Sequence, residues 1–247
     1  MNVGLYNAAA ALRANDRWQE LIAENLASSS IPGYRKQELA FNTSRLDAQR
    51  SASGTGTSNF SIPRADRVTN FTPGEMKYTG APTDVAIDGT AFFEVQLPNG
   101  ATAYTRDGEF RISGQGELVT KQGFRVLSDG GPIQIDLERP ETLSIASTGE
   151  VSQGNDLRGR LKLTEFADPQ QLTQVSGGLF VANDPAIVSG PAQNSTVRQG
   201  WQEGANTSVV GEMATLLLAM RTFEANQRIV QLHDERISKT IHALETS

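Results

Sequence analysis

The strongest constraint in this sequence is a change of hydrophobic period along the chain. Both ends repeat as helices do, and the middle repeats as strands do. From the N-terminus the apolar positions Leu5, Ala8, Leu12, Ile22 and Leu26 follow a helical stripe, with polar Asn15 and Gln19 at the intervening seam positions. Ser28-Ser29-Ser30 and Ile31-Pro32-Gly33 should end that helix, because the residue before a proline is pushed out of the helical region and glycine serves the exit. At the other end Leu216, Phe223, Val230, Ile237 and Leu244 are spaced by seven, with Met213, Met220 and Ile241 in a second seam that Gln227 and Asp234 interrupt. This spacing predicts a coiled-coil-like helix from about Ser208 to Leu244.

Between the ends the period is two. Asp84–Ile87, Phe92–Leu97, Ala103–Thr105, Glu109–Ile112, Glu117–Thr120 and Phe124–Leu127 alternate over a few residues each. They are separated by Asp88-Gly89, Pro98-Asn99-Gly100, Asp107-Gly108, Ser113-Gly114-Gln115-Gly116 and Gln122-Gly123, the chemistry of tight turns. Further strands are expected at Ile133–Leu137, Thr142–Ala146, Leu161–Phe166 and Leu179–Val181. Ser51 to Ser61 is nearly all Ser, Gly, Thr, Ala and Asn, too poor in apolar surface to fold alone, and is expected to be a flexible loop or one ordered only by a partner. The fold class is therefore α+β: N- and C-terminal helices pairing as a coiled-coil-like bundle, with an inserted antiparallel all-β domain. The expected divisions are 1–34 for the first helix, 35–73 for a flexible linker or extended hairpin, and 74–190 for the β domain. A return linker, 191–207, and the last helix, 208–247, complete the chain.

Composition narrows the chemistry. The chain carries 22 Lys+Arg against 28 Asp+Glu, a formal charge of −6, which argues against a broad nucleic-acid surface. With no cysteine it cannot use thiols, and His233 and His242 are too few for a histidine metal centre. Met1 to Leu12 is uncharged, and Arg13, Asp16, Arg17 and Glu20 follow at once, so a cleaved secretory leader is not expected. The longest apolar run, Ala214 to Met220, is far shorter than the roughly 20 residues that cross a bilayer.

No phosphate-binding loop, zinc helix or nucleophile elbow is present. His233 stands beside Asp234 and Glu235, but no nucleophile sits at a useful spacing, so a solvated or interface histidine is the reading. Asp84 with Asp88, or Asp107 with Glu109, could form an acid and base pair, yet each lies at a strand end or turn, where aspartate is expected for its backbone hydrogen bonds. No catalytic, cofactor-binding or metal-binding residue is expected, and no cofactor. The long C-terminal stripe finds no helix of equal length within the chain, which points to packing between subunits.

Three blocks carry a family resemblance. Asn25-Leu26-Ala27-Ser28-Ser29-Ser30-Ile31-Pro32-Gly33-Tyr34-Arg35 resembles the N-terminal signature of the bacterial flagellar rod and hook proteins, matching at Asn25, Leu26, Ala27, Gly33, Tyr34 and Arg35. It departs at Ser28, where the family usually has Asn, and at Ile31, where it usually has Thr. Thr83–Val95, Tyr104–Phe110 and Gly116–Thr120 look like the β-domain core of that family. Glu203–Met213 and Arg221–Asn226 look like its C-terminal helix. Within the family Thr72–Gly80, Gly159–Leu163 and the chain length resemble the proximal-rod members most, the distal-rod members next.

The resemblance implies a structural, non-enzymatic subunit of the flagellar basal-body rod, the axial drive shaft that passes torque for cell motility. It implies export by the flagellar type III apparatus, assembly in the periplasmic space, and partners among copies of the chain and neighbouring rod proteins. Membrane insertion and nucleic acid are not expected. The terminal helices would form an inner tube. The expected subunit interface is Leu5, Leu12, Ile22, Asn25, Leu26, Gly33, Tyr34, Met213, Leu216, Met220, Phe223, Val230, Ile237, Ile241 and Leu244. A rod-associated hydrolase and an export or binding module are the alternatives.

Overall fold

A computed structural model of the chain describes residues 3–45, 61–139, 141–184 and 186–245. The chain divides into two compact units. Unit 1 is drawn from Met1–Leu26, Gln37–Val68 and Val209–Ser247, and unit 2 from Ala27–Lys36 and Thr69–Ser208. The class is α+β, with helix α1 (Val3–Ala27) near one end, helix α2 (Val209–Glu245) near the other, and antiparallel strands between.

α1 stops where the serines begin, because their hydroxyls compete for backbone groups and disfavour helix. The chain then turns through Ile31 N–H to Ser28 O at 3.0 Å and Tyr34 N–H to Ile31 O at 3.3 Å. Asn25, on the last turn of α1, closes unit 1 locally. Its side-chain amide donates to Gln37 O and accepts from Gln37 N–H, both at 2.9 Å, so one side chain imitates a strand partner for the start of Gln37–Arg45. Gln37–Arg45 pairs with Ser61–Thr69. Residues 51–60 of the serine- and glycine-rich segment lie outside the described residues.

Unit 2 is built on a ten-stranded sheet. Its spine runs Thr173–Gln174, Leu179–Val181, Thr102–Thr105, Phe92–Gln96, Arg125–Ser128, Leu118–Thr120, Phe110–Ile112. Phe92–Gln96 is the pivot, since its two faces serve two cores. Phe93 and Val95 enter a large cluster with Val85, Ile87, Phe110, Leu118, Val126 and Ile133. Phe92 enters an aromatic cluster with Phe166, Leu172 and Phe180, its rings meeting edge to face. A strand buried on both sides loses simple alternation, and here Glu94 is buried too, held by Thr164 and, at 2.9 Å, by Lys162 Nζ.

Hairpins form as expected at Pro98-Asn99-Gly100, Ser113–Gly116 and Gln122-Gly123. Asp107-Gly108 does something else. Thr102–Thr105 and Phe110–Ile112 are not neighbours, and Gly108 O instead accepts Val85 N–H at 3.0 Å, tying the start of unit 2 into its middle. The stretch expected as a return linker, 191–207, also differs: Thr196–Gln199 pairs with Val85–Asp88 and Trp201–Glu203 pairs with Met76–Tyr78. These strands are short and lack strong alternation, so their pairing comes from partners more than 100 residues away, which no local pattern records. Residues 27–36, of which 27–34 were expected in the first helix division and 35–36 in the linker, group with unit 2.

Candidate functional site

α2 is apolar on more than one face. At about 100° of rotation per residue, Leu216, Phe223 and Val230 fall on one side with Ala219, and these are half-buried or buried. Leu218, Ile229 and Leu232 point away from that side and are exposed, Leu218 by 57% and Leu232 by 53%. Met213 and Met220 of the expected second seam are exposed by 53% and 49%. The coiled-coil pairing expected of the terminal helices is not supported, since Met213 and Met220 of its second seam face outward. Of Leu5, Ile237, Ile241 and Leu244 only the backbone is described. Leu12 and Leu26 are half-buried, while Ile22 and Asn25 are buried.

Gly33 and Tyr34, expected at a subunit surface, are instead interior to unit 2. Gly33 has φ +66°, and a Cβ there would stand 2.4 Å from the carbonyl carbon of Arg106, so the position excludes any side chain twice over. Tyr34 is fully buried. Next to them lies a cluster that the sequence spacing did not reveal. The Glu203 carboxylate, buried to 1% exposure, meets Arg35 NH1 at 2.6 Å through Oε1 and Arg106 Nε at 2.9 Å through Oε2. Arg106 also donates to the carbonyls of Ala91, of Gly89 at 2.8 Å and of Ile87 at 3.4 Å. Burial lowers the Arg106 pKa, Glu203 opposes that shift, and the neighbouring Arg35 charge adds to it. Two guanidinium groups on one carboxylate make Glu203 indispensable: removing one partner of a buried pair costs about 3–5 kcal/mol.

Asn206 completes the arrangement. Its Oδ1 accepts Lys36 N–H at 2.6 Å, and its amide donates to Asn70 O at 2.7 Å and Thr72 O at 3.0 Å. Gly74 N–H donates to Glu203 Oε1 at 2.9 Å, and a Cβ at Gly74 would lie 2.0 Å from Gly204 O.

The chemical alternatives can be placed residue by residue. Asp84 accepts from Gln202 at 3.0 Å, Asp88 pairs with Arg198, and Glu109 pairs with Lys121 at 3.2 Å and Arg111 at 3.3 Å. Asp107 is the exception. Burial pushes its carboxyl up to about 6, the Glu109 N–H it accepts at 2.9 Å pulls it down, and the Glu109 charge pushes it up again. Ser195 Oγ accepts the N–H groups of Thr90 and Ala91, each at 3.1 Å, and donates to Glu165 at 2.6 Å, so its hydroxyl is spent on structure. Among the described residues no three carboxylate or histidine side chains are grouped to hold a metal ion. Among them, too, no helix is long and apolar enough to cross a membrane.

Residues 86–153 match the family model described as the flagellar hook protein FlgE/F/G D1 domain, and residues 198–242 match the C-terminal model of the flagellar basal-body rod FlgEFG proteins. Over 94% of this chain and 95% of the relative, the sequence is 30% identical to the flagellar basal-body rod protein FlgG of Borreliella burgdorferi. It is 30% identical to FlgF of Salmonella typhimurium over all of both chains, and 32% identical to FlgF of Caulobacter vibrioides over 83% of each. The first model spans the central strands of unit 2 and the second runs from Thr196–Gln199 through most of α2, so the likeness covers both units. This chain belongs to the family of flagellar basal-body rod proteins.

Proposed function

We propose that this chain is a self-assembling, non-enzymatic subunit of the flagellar rod, joined to copies of itself and to neighbouring rod proteins through its terminal helices. The observation that carries the reading is the exposed apolar surface of α2. A helix apolar on several faces is stable only when covered, and at 1.5 Å per residue the 37 residues of α2 run about 55 Å, against about 37 Å for the 25 of α1. α1 is too short to cover α2 along its length, so other chains supply the remaining burial. The interface is Leu5, Leu12, Leu26, Met213, Leu216, Met220, Phe223, Val230, Ile237, Ile241 and Leu244, together with the exposed Leu217, Leu218, Ile229 and Leu232 of α2.

The position is the proximal rod, with export through the flagellar type III apparatus, no membrane insertion and no nucleic-acid partner. The FlgG relative at the same identity as a FlgF relative makes the distal position the alternative. Phe223→Asp and Val230→Asp are expected to abolish rod assembly in cells carrying only the variant, while amide protection in unit 2 persists. Normal rods from either variant would refute the interface.

A further inference from the structure

Unit 2 is left by the chain at three places besides its link to α1. Lys36 runs on into Gln37–Arg45, Thr69 returns from Ser61–Thr69, and Ser208 runs on into α2. Within unit 2 these passages are bonded to one another in a closed triangle. Entry and exit are joined by Gly33 N–H to Glu203 O at 2.7 Å, Asn206 N–H to Tyr34 O at 3.2 Å, and Lys36 N–H to Asn206 Oδ1. Return and exit are joined by Gly204 N–H to Glu75 O at 2.8 Å, by Gly74 N–H to Glu203 Oε1, and by the Asn206 amide to Asn70 O and Thr72 O. Entry and return are joined by Asn70 N–H to Lys36 O at 2.8 Å. Arg106 then moors the triangle to the sheet, through Glu203 on one side and the carbonyls of Ala91 and Gly89 on the other.

We infer that Glu203 and Asn206 form a latch that opens and closes as one body, so that three strands of chain leave unit 2 as a single stiff joint. The physical reason is closure. Two sides alone leave a free angle between the passages and the third removes it, and each of the two hub residues serves two sides, so freeing either hub loosens both at once. Three separate tethers would pivot independently under load. A latched joint delivers a twist applied to one part of the chain without play, a purpose that rests on the rod reading.

Hydrogen exchange on the full chain tests the latch. In native-state exchange at low urea, the amides of Gly33, Lys36, Asn70, Gly74 and Gly204 are expected to share one opening free energy, below that of the reference amides of the buried core residues Leu118 and Leu161, which donate to Ile133 O and Gly149 O. Asn206→Ala, which directly strips an acceptor from Lys36 alone among the five, is expected to speed exchange at all five by at least tenfold and to leave Leu118 and Leu161 unchanged. Arg35→Met, which leaves the Glu203–Arg106 pair intact, is expected to act on the same five. Acceleration confined to Lys36, five unrelated opening energies in the unsubstituted chain, or equal acceleration of the reference amides would each overturn the latch. Incorporation into rods is scored separately in cells. A chain that latches but never enters rods contradicts the rod reading and leaves the latch standing.

Discussion

Gly33 shows how much a single residue can fix. Its positive φ and its contact with the Arg106 backbone are independent penalties, so Gly33→Ala is expected to destabilise unit 2 by more than about 2 kcal/mol, measured by urea unfolding. Asp107 gives a prediction with a sign. Its folded pKa, raised to about 6, lies above the ordinary 3.8, so the folded state binds the proton more tightly and this group's contribution is fully present below about pH 3.8 and lost as pH rises through 6. The difference approaches about 3 kcal/mol. Asp107→Asn keeps an acceptor for the Glu109 N–H and removes the titration. The stability of wild type relative to this variant is expected to fall between pH 4 and pH 7, and a pH-independent difference would contradict the burial of the charge. At this scale Asn25, Gly33, Tyr34 and Arg35 were legible as a motif, but not their roles. Glu203 and Arg106 stand 97 residues apart, and nothing local to either announces the other. The available hint was that both are charged residues set among turn glycines and apolar strand residues, where a solvated charge has no obvious place.

The elements were more legible than the contacts between them. The heptad spacing gave α2 to within a residue or so at each end, because a long amphipathic repeat is a strong signal. Hairpins were readable where Asn-Gly or Gln-Gly closes adjacent strands. They were not readable at Asp107-Gly108, where an equally good turn dipeptide does not join neighbouring strands, or at Thr196–Gln199 and Trp201–Glu203, which pair with Val85–Asp88 and Met76–Tyr78. The heptad reading also drew attention to one stripe of α2 and passed over the other. Because Leu218 and Leu232 are already exposed, replacing both with Lys is expected to change the stability of the single chain by less than about 0.5 kcal/mol. The same double variant is expected to lose rod assembly, scored by motility and by subunit content of isolated basal bodies. Loss of monomer stability instead would mean that this face is covered within the chain.

For the whole molecule, the division into a β-rich unit closed on itself and a helical unit with apolar surface to spare carries the functional account. Unit 2 pairs its first strands with its last and buries two cores, so it is complete in one chain. Unit 1 leaves Met213, Leu217, Leu218, Met220, Ile229 and Leu232 about half exposed, and burying the remainder of each would contribute roughly 1 kcal/mol. That asymmetry is what a filament subunit needs: one unit finished within the chain and one left for neighbours to cover. The most direct test is a density map of basal bodies isolated from cells in which this chain replaces its native counterpart. The account predicts α2 in the innermost layer of the rod, with Leu218 and Leu232 against helices of adjacent subunits and unit 2 facing outward. Density for this chain outside the rod, or with unit 2 lining the central channel and α2 on the outer surface, would contradict it.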